Sequence, residues 1–136
     1  MPDGVVPRLY FNNGLYFAVN GKSGSIYYNN RQTPIYTPND RIVDFDLSYD
    51  AALIAYIKQS EPGKIYLHNR KTHHTTAIFQ SPKGKIERCS FIYKNQLACD
   101  ISTVKFLHQE ISRLIVNPVT GSQKKAPLDG YYFQDY

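Results

Sequence analysis

The chain has 136 residues, of which 42% are hydrophobic and 14% aromatic, so it can bury the core of one domain. Its formal net charge of +5 favours solubility, but it does not by itself indicate a nucleic-acid partner. No apolar run approaches the ~18 residues of a membrane-spanning helix, and the N-terminus lacks the pattern of a secretory signal. If Met1 is the native start, we expect a cytoplasmic protein with no membrane association.

The first part of the chain predicts short strands that are separated by turns. Asn12-Asn13-Gly14 has the composition of a tight turn, because Asn and Gly tolerate positive φ. Proline removes a hydrogen-bond donor, so a strand that begins at Pro34 is expected at a sheet edge. Strands are predicted over residues 8–11, 15–19, 25–29 and 34–37, which together form a first unit over 8–38.

A hairpin over residues 42–57 is the clearest element in the sequence. Phe45 and Leu47 alternate with Asp44 and Asp46, which is the period of a half-buried strand with one polar, solvated face. The returning strand carries its apolar face on Leu53, Ala55 and Ile57. Two further strands, over 64–69 and 75–79, complete a second unit that spans residues 42–80.

The same hairpin recurs 44 residues later, over 88–101, and opens a third unit over 86–128. At this offset Phe45, Leu47, Leu53, Ala55 and Ile57 correspond to Cys89, Phe91, Leu97, Cys99 and Ile101. The next strand, 113–116, comes 49 residues after its counterpart, so the turn over 102–112 is predicted to be five residues longer. A weak outer strand follows at 124–128, and residues 129–136 begin an element that the chain does not finish.

Three units of about four strands, repeated every 40–44 residues, predict an all-β fold. We interpret residues 1–136 as a single, incomplete β-propeller domain of three four-stranded antiparallel blades; the alternative is a β-sandwich. Propellers usually close with about four to eight blades. Three blades would leave two open apolar faces, so we expect either a longer parent protein or self-association.

The turn segment Asp44–Asp50, which precedes the apolar strand Leu53–Tyr56, resembles a motif of a known family. The family often has D-F-S-x-S-P-D-G at this point, whereas this chain has Tyr49 and Ala51 in place of Pro and Gly. Segments 89–97 and 115–121 are similar to its aromatic strand and its outer hairpin. Residues 42–128 thus resemble the propeller that precedes the catalytic domain in prolyl-oligopeptidase and acylaminoacyl-peptidase-like serine hydrolases, and the related TolB-type repeats.

The resemblance implies a non-catalytic segment that gates peptide access and packs on a hydrolase domain absent from this chain. It therefore implies no catalytic, cofactor-binding or metal-binding residue here, and the sequence contains no G-x-S-x-G nucleophile elbow. The alternative is a TolB-like propeller fragment that acts as a protein-interaction scaffold. The expected partners are a peptide or protein, the missing hydrolase domain or further blades.

Two cysteines could carry chemistry. If Phe91 pairs with Leu97, Cys89 lies directly across from Cys99, with Cβ atoms about 4.5–5.5 Å apart. The pair is expected either as buried free thiols or as a cross-strand disulfide. Their spacing does not match a zinc or redox motif.

Other polar groups have structural explanations. His73 and His74 are adjacent, so their side chains point to opposite faces and are poor joint metal ligands. Asp50 is expected to cap a turn, and no ligand spacing supports calcium at the nearby aspartates. Basic residues cluster in turns at 70–71, 83–85 and 124–125. They are expected to guard strand edges, with a polyanion-binding rim as the alternative.

Overall fold

The structure, a computed structural model, describes residues 5–12, 15–20, 23–28, 33–48, 50, 52–92 and 95–127. Within these residues all of the regular secondary structure is β, so the all-β prediction is confirmed. The unfinished element predicted at 129–136 lies outside the described residues.

Eleven antiparallel strands follow one another along the described chain. They are β1 (Val5–Asn12), β2 (Leu15–Asn20), β3 (Ile26–Tyr28), β4 (Ile42–Leu47), β5 (Leu53–Lys58), β6 (Glu61–Asn69), β7 (His74–Gln80), β8 (Lys85–Phe91), β9 (Leu97–Lys105), β10 (His108–Val116) and β11 (Gln123–Ala126). Consecutive strands are hydrogen-bonded neighbours in three meanders, which we call sheet 1 (β1–β3), sheet 2 (β4–β7) and sheet 3 (β8–β11).

Most strand boundaries shift by a few residues from the predictions, and two differences are larger. The predicted strand at 34–37 is reduced to a single antiparallel bridge between Ile26 and Tyr36. The predicted long turn over 102–112 is a continuation of β9 and β10 instead, and it is closed by a two-residue turn at Phe106 and Leu107. The polar run His108, Gln109 and Glu110 interrupts the apolar residues of this segment, and these residue types carry little strand signal.

The first three strands of sheet 2 pack on both of their faces, whereas β7 is mostly exposed. One face meets sheet 1 and the other meets sheet 3, and each contact has its own apolar core. The core toward sheet 1 contains Ile26, Phe45, Leu47, Ile54 and Tyr56. The core toward sheet 3 contains Ala55, Ile57, Ile65, Phe79, Ile86, Cys89, Phe91, Leu97, Cys99, Ile101 and Val116. Alternation along β5 therefore sends neighbouring side chains into two different cores.

The register of the two hairpins corrects the predicted correspondence by one residue on the returning strand. Leu47 pairs with Ile54 in sheet 2, whereas Phe91 pairs with Leu97 in sheet 3, so the second turn is one residue shorter. The offset of 44 holds between β4 and β8, but β5 and β9 are related by 43. Leu97 thus corresponds to Ile54 rather than to Leu53. The difference of one residue matters because neighbouring side chains on a strand point to opposite faces of the sheet.

Candidate functional site

Two buried carboxylates on β4 join sheet 2 to sheet 3. Asp44 and Asp46 are only 4% and 3% exposed. The backbone N–H of Cys89 donates to Asp44 Oδ2 at 2.9 Å, and the backbone N–H of Phe91 donates to Asp46 Oδ2 at 2.6 Å. The hydroxyl of Ser90 also donates to Asp46 Oδ2, at 3.1 Å. We call this arrangement the carboxylate clamp.

The clamp satisfies the free edge of β8. In sheet 3 the strand order is β11-β10-β9-β8, so β8 has a strand neighbour on one side only. Alternate N–H groups of an edge strand point away from its sheet and need another acceptor when they are buried. The two aspartates supply that acceptor, so the clamp holds β4 beside β8 and closes an edge that could otherwise pair with another chain.

This finding corrects the prediction of a solvated face for Asp44 and Asp46. The alternation with Phe45 and Leu47 is real, but from Asp44 to Leu47 both faces of β4 are buried, because sheet 2 has a neighbour on each side there. The alternation of polar and apolar residues shows on which face of the strand a residue lies. It does not show whether that face meets water or another sheet. Burial of a carboxylate is tolerated only where its oxygens are hydrogen-bonded.

Asp50 has the predicted role of a turn cap. Ser48 Oγ donates to Asp50 Oδ1 at 2.7 Å, and the backbone N–H of Ala52 donates to the same oxygen at 3.1 Å. The Ser48 hydroxyl lowers the pKa of Asp50 most, and the Ala52 N–H adds to this effect. The turn fixes the distance between β4 and β5, and so it sets the register that places the clamp.

A cluster of aromatic and hydroxyl groups lies where Tyr36, from the segment after β3, meets sheet 2. The hydroxyls of Tyr36 and Tyr56 are hydrogen-bonded at 2.7 Å. The Tyr36 ring stacks on the imidazole of His68, with centroids 3.9 Å apart and planes at 15°. His68 Nδ1 is hydrogen-bonded to Thr75 Oγ1 at 2.8 Å. This network gives the cluster a fixed geometry, and the sequence offered no motif that would have grouped these residues.

Burial controls the acid–base behaviour of this cluster. Burial is the main cause that raises the pKa of Tyr56, and the hydrogen bond to Tyr36 adds to it, so Tyr56 stays a neutral phenol at ordinary pH. Burial also lowers the pKa of His68 below its usual 6.5, helped by the nearby His73 and Arg70. The imidazole is therefore neutral near pH 7, which suits a packed ring better than a charged one.

We expect His68 to make the folded protein less stable in mild acid. Because its pKa is lowered in the folded chain, its contribution is complete above about pH 6.5 and decreases as the pH falls below that value. The urea midpoint should therefore decrease between about pH 7.5 and 5.5, and His68→Gln should flatten that slope. The exposed His74→Gln should keep the full slope; an equal flattening in both variants would contradict the assignment.

A second polar group surrounds Glu61 at the start of β6. The Tyr66 hydroxyl donates to Glu61 Oε2 at 2.5 Å, and Lys64 Nζ lies 3.0 Å from the same oxygen. The bond from Tyr66, followed by that from Lys64, lowers the pKa of Glu61 to about 2. Lys58 Nζ lies 4.4 Å from the centre of the Tyr66 ring. The Glu61 side chain is 34% exposed, so solvent partly screens these interactions and the group serves mainly to orient side chains.

The outer face of sheet 3 carries a bidentate ion pair. Arg113 donates from Nε to Asp100 Oδ1 at 2.6 Å and from Nη2 to Asp100 Oδ2 at 3.0 Å. These residues pair across β9 and β10, on the face opposite to Cys99. By register they correspond to Ile57 and Ile65 of sheet 2, which lie in the core toward sheet 3. The face of sheet 3 that carries Asp100 and Arg113 is therefore polar, whereas the corresponding face of sheet 2 is apolar.

The cysteine pairing predicted from the sequence is confirmed, and both side chains are thiols rather than a disulfide. Cys89 and Cys99 are directly opposed across β8 and β9, and both are buried. Burial is the main cause that raises the pKa of Cys99, so its thiol stays protonated and behaves as a small apolar side chain. The disulfide alternative is not formed in this structure.

The remaining sequence candidates lie at exposed turns. His73 and His74 are exposed at the β6–β7 turn, where His73 has φ = 61°. Lys71, Lys83, Lys85, Lys124 and Lys125 are exposed as well, and they lie in or beside turns or on the outer strand β11. Among the described residues, no group of three or more His, Cys, Asp or Glu side chains is placed to hold a metal ion.

One cavity lies at the end of sheet 3 and has a volume of about 240 Å³. It is lined by Gln96, Ile115, Asn117, Ser122, Gln123 and Lys124. It is smaller than most ligand pockets, which have volumes of about 300–1,000 Å³, and its lining combines amides and a hydroxyl with a single cation. This lining gives no indication of a reaction.

Comparison with known proteins does not assign a family. No protein-family model matches the sequence, and no curated protein matches it. A solved structure that matches is the extracellular domain of a hybrid two-component system from B. thetaiotaomicron, with 15% identity and a TM-score of 0.49. The alignment covers 93% of this chain but only 16% of that one. Within the described residues, no helix is long and apolar enough to cross a membrane.

Proposed function

We propose that this chain supplies consecutive blades of a β-propeller and serves as a non-catalytic scaffold for peptide or protein binding. The observation that carries the proposal is the packing of β4, β5 and β6, which contact sheet 3 on one face and Ile26, Ile35 and Tyr36 of the first unit on the other. Successive meanders that stack face to face are what neighbouring blades do. In a simple two-layer sandwich each sheet would keep one solvated face.

The carboxylate clamp supports the same arrangement. It holds the first strand of sheet 2 beside the first strand of sheet 3, through Asp44 to Cys89 and Asp46 to Phe91. First strands that meet along one line are expected around a central axis. The ion pair between Asp100 and Arg113 distinguishes the outer face of sheet 3, so whatever packs there must accommodate a polar centre.

A narrower form of the proposal is that the scaffold belongs to a prolyl-oligopeptidase-like serine hydrolase and gates its substrates. The segment Asp44–Asp50 favours it, because the residues of the family-like turn are those that build the clamp and its capped turn. The reading frame beyond Tyr136 tests this form. A G-x-S-x-G segment within a βα pattern would support the hydrolase, and blades alone would support a stand-alone scaffold.

The non-catalytic role predicts that the purified chain does not hydrolyse a chromogenic dipeptide and does not react with a fluorophosphonate probe for serine hydrolases. The reason is that acyl transfer requires an activated nucleophile beside a base and an oxyanion hole. Any turnover that co-purifies with the chain and resists an inhibitor of contaminating proteases would contradict the proposal.

A further inference from the structure

The β9–β10 hairpin projects a set of large apolar side chains into solvent. Val104 is 83% exposed, Phe106 86%, Leu107 99% and Ile111 46%. A contiguous group of this kind is uncommon on a protein that has no use for it, and it marks an interaction site. We call residues 102–112 the distal hairpin.

The distal hairpin is amphipathic across its two faces. Val104 pairs with Gln109 and Ser102 pairs with Ile111, so these four residues share one face. Glu110 lies on the other face, across from Thr103. Val104, Gln109 and Ile111 carry no formal charge, and they are continuous with the tip formed by Phe106 and Leu107. The face becomes polar at its base, where Ser102 donates to Glu87 and pairs with Lys85.

The conformation of the tip indicates that its side chains have a role. Phe106 has φ = 51° and Leu107 has φ = 64°, both in the left-handed region. Two-residue turns of this kind favour Asn-Gly or Asp-Gly, because a side chain is disfavoured there. Two large apolar residues at these positions destabilise the turn, and burial of their side chains against a binding partner would offset that cost.

We propose that the occupant is a second copy of this chain, which packs its own distal hairpin against the first around a two-fold axis. The exposed apolar side chains at the end of the hairpin carry no charge, and Lys85 and Glu87 at its base pair with each other. The face can therefore meet itself without net like-charge repulsion, as an isologous interface requires. At about 100 Å² of apolar area for each of the four side chains, two copies would bury roughly 800 Å² in total. That area is below the standard interface size, so it fits a weak, reversible dimer.

A membrane is a poorer occupant. Residues 102–112 contain one lysine and one glutamate, so they have no basic surplus. Stable attachment to a membrane usually needs a polybasic patch beside the apolar anchor.

Salt distinguishes the two occupants. Each copy has a net charge of +5, so salt should screen the repulsion between two copies and strengthen the dimer. Salt should instead weaken binding to an anionic membrane surface.

The test is sedimentation equilibrium of the purified chain from about 1 µM to about 1 mM, at low and high salt. We expect a monomer–dimer equilibrium, with Leu107→Asp weakening it at least about tenfold. Leu107 is almost fully exposed, so this variant should fold normally, with an unchanged urea midpoint. Val119→Asp is the matched control, because Val119 is 91% exposed and lies beyond the opposite end of β10.

Three results would overturn the proposal. The chain could remain a monomer over the whole concentration range, or the variants Leu107→Asp and Val119→Asp could weaken association equally. Flotation of the wild-type chain with vesicles of phosphatidylcholine and phosphatidylserine, lost in Leu107→Asp, would assign the hairpin to a membrane instead. The inference does not depend on the propeller proposal, because the same hairpin would be present in any arrangement of the sheets.

Discussion

Replacing Asp46 by alanine is expected to destabilise the fold by about 3–5 kcal/mol, a large part of the stability of a domain of this size. The carboxylate accepts hydrogen bonds from the backbone N–H groups of Leu47 and Phe91 and from the Ser90 hydroxyl. Alanine leaves those buried donors without their acceptor, and a buried polar group without a partner costs about 1–3 kcal/mol. Equilibrium urea unfolding followed by circular dichroism measures the loss.

Two variants separate the clamp from a general effect of removing a carboxylate. Asp46→Asn keeps one carbonyl acceptor but turns the other oxygen into a donor, so it should fall between wild type and Asp46→Ala. Glu110→Ala, which removes an exposed carboxylate on β10, should change the free energy of unfolding by less than about 0.5 kcal/mol. An Asp46→Ala variant as stable as Glu110→Ala would show that sheets 2 and 3 do not depend on the clamp.

Replacing Gly84 by alanine is the second change with a large expected effect, about 3–4 kcal/mol. Gly84 lies between β7 and β8 with φ = 88°, where the chain passes from sheet 2 to sheet 3. An added Cβ would meet the backbone carbonyl oxygen of Ser102 well inside contact distance, and Thr103 Cγ2 at 2.6 Å. The backbone of β9 cannot move away without breaking its ladder, so the connection itself must shift. The free energy of unfolding from urea titration gives the size of the effect.

Gly121 provides the matched control for this change. Its φ is 75°, so alanine there meets the same backbone restriction, but the nearest atom to the new Cβ is Ile78 O at 3.7 Å. Gly121→Ala should therefore cost only about 1 kcal/mol, from conformation alone. Equal losses for Gly84→Ala and Gly121→Ala would mean that the close approach of Gly84 to β9 is not present in the folded protein.

The sequence predicts strands and pairings well where the pattern is local. The hairpin over 42–57 and the opposition of Cys89 and Cys99 follow from alternation and turn chemistry, and both are observed. The correspondence of Leu53 with Leu97 is wrong, since only the paired register reveals the missing turn residue. Strand alternation repeats every two residues, so an error of one residue in an offset leaves the pattern plausible and reverses the face.

The site is harder to predict, because it depends on contacts between sheets. Nothing within the segment Asp44–Asp50 says that two carboxylates will meet the N–H groups of a strand about 45 residues later. The contact of Tyr36 with His68 likewise joins a poorly patterned segment to β6. A useful signal was available: polar residues that alternate with buried ones on the first strand of a repeat, where a neighbouring repeat must pack.

Amide hydrogen exchange at Cys89 and Phe91 tests the central claim, that sheets 2 and 3 are joined through aspartates at the edge of β8. If the claim holds, both amides are protected by at least about 100-fold relative to an unfolded chain, although β8 has no strand partner on that side. In Asp46→Asn, which keeps only one acceptor oxygen, the protection should decrease more at Phe91 than at Cys89. Exchange of both amides at close to the unfolded rate in the wild-type protein would contradict the account.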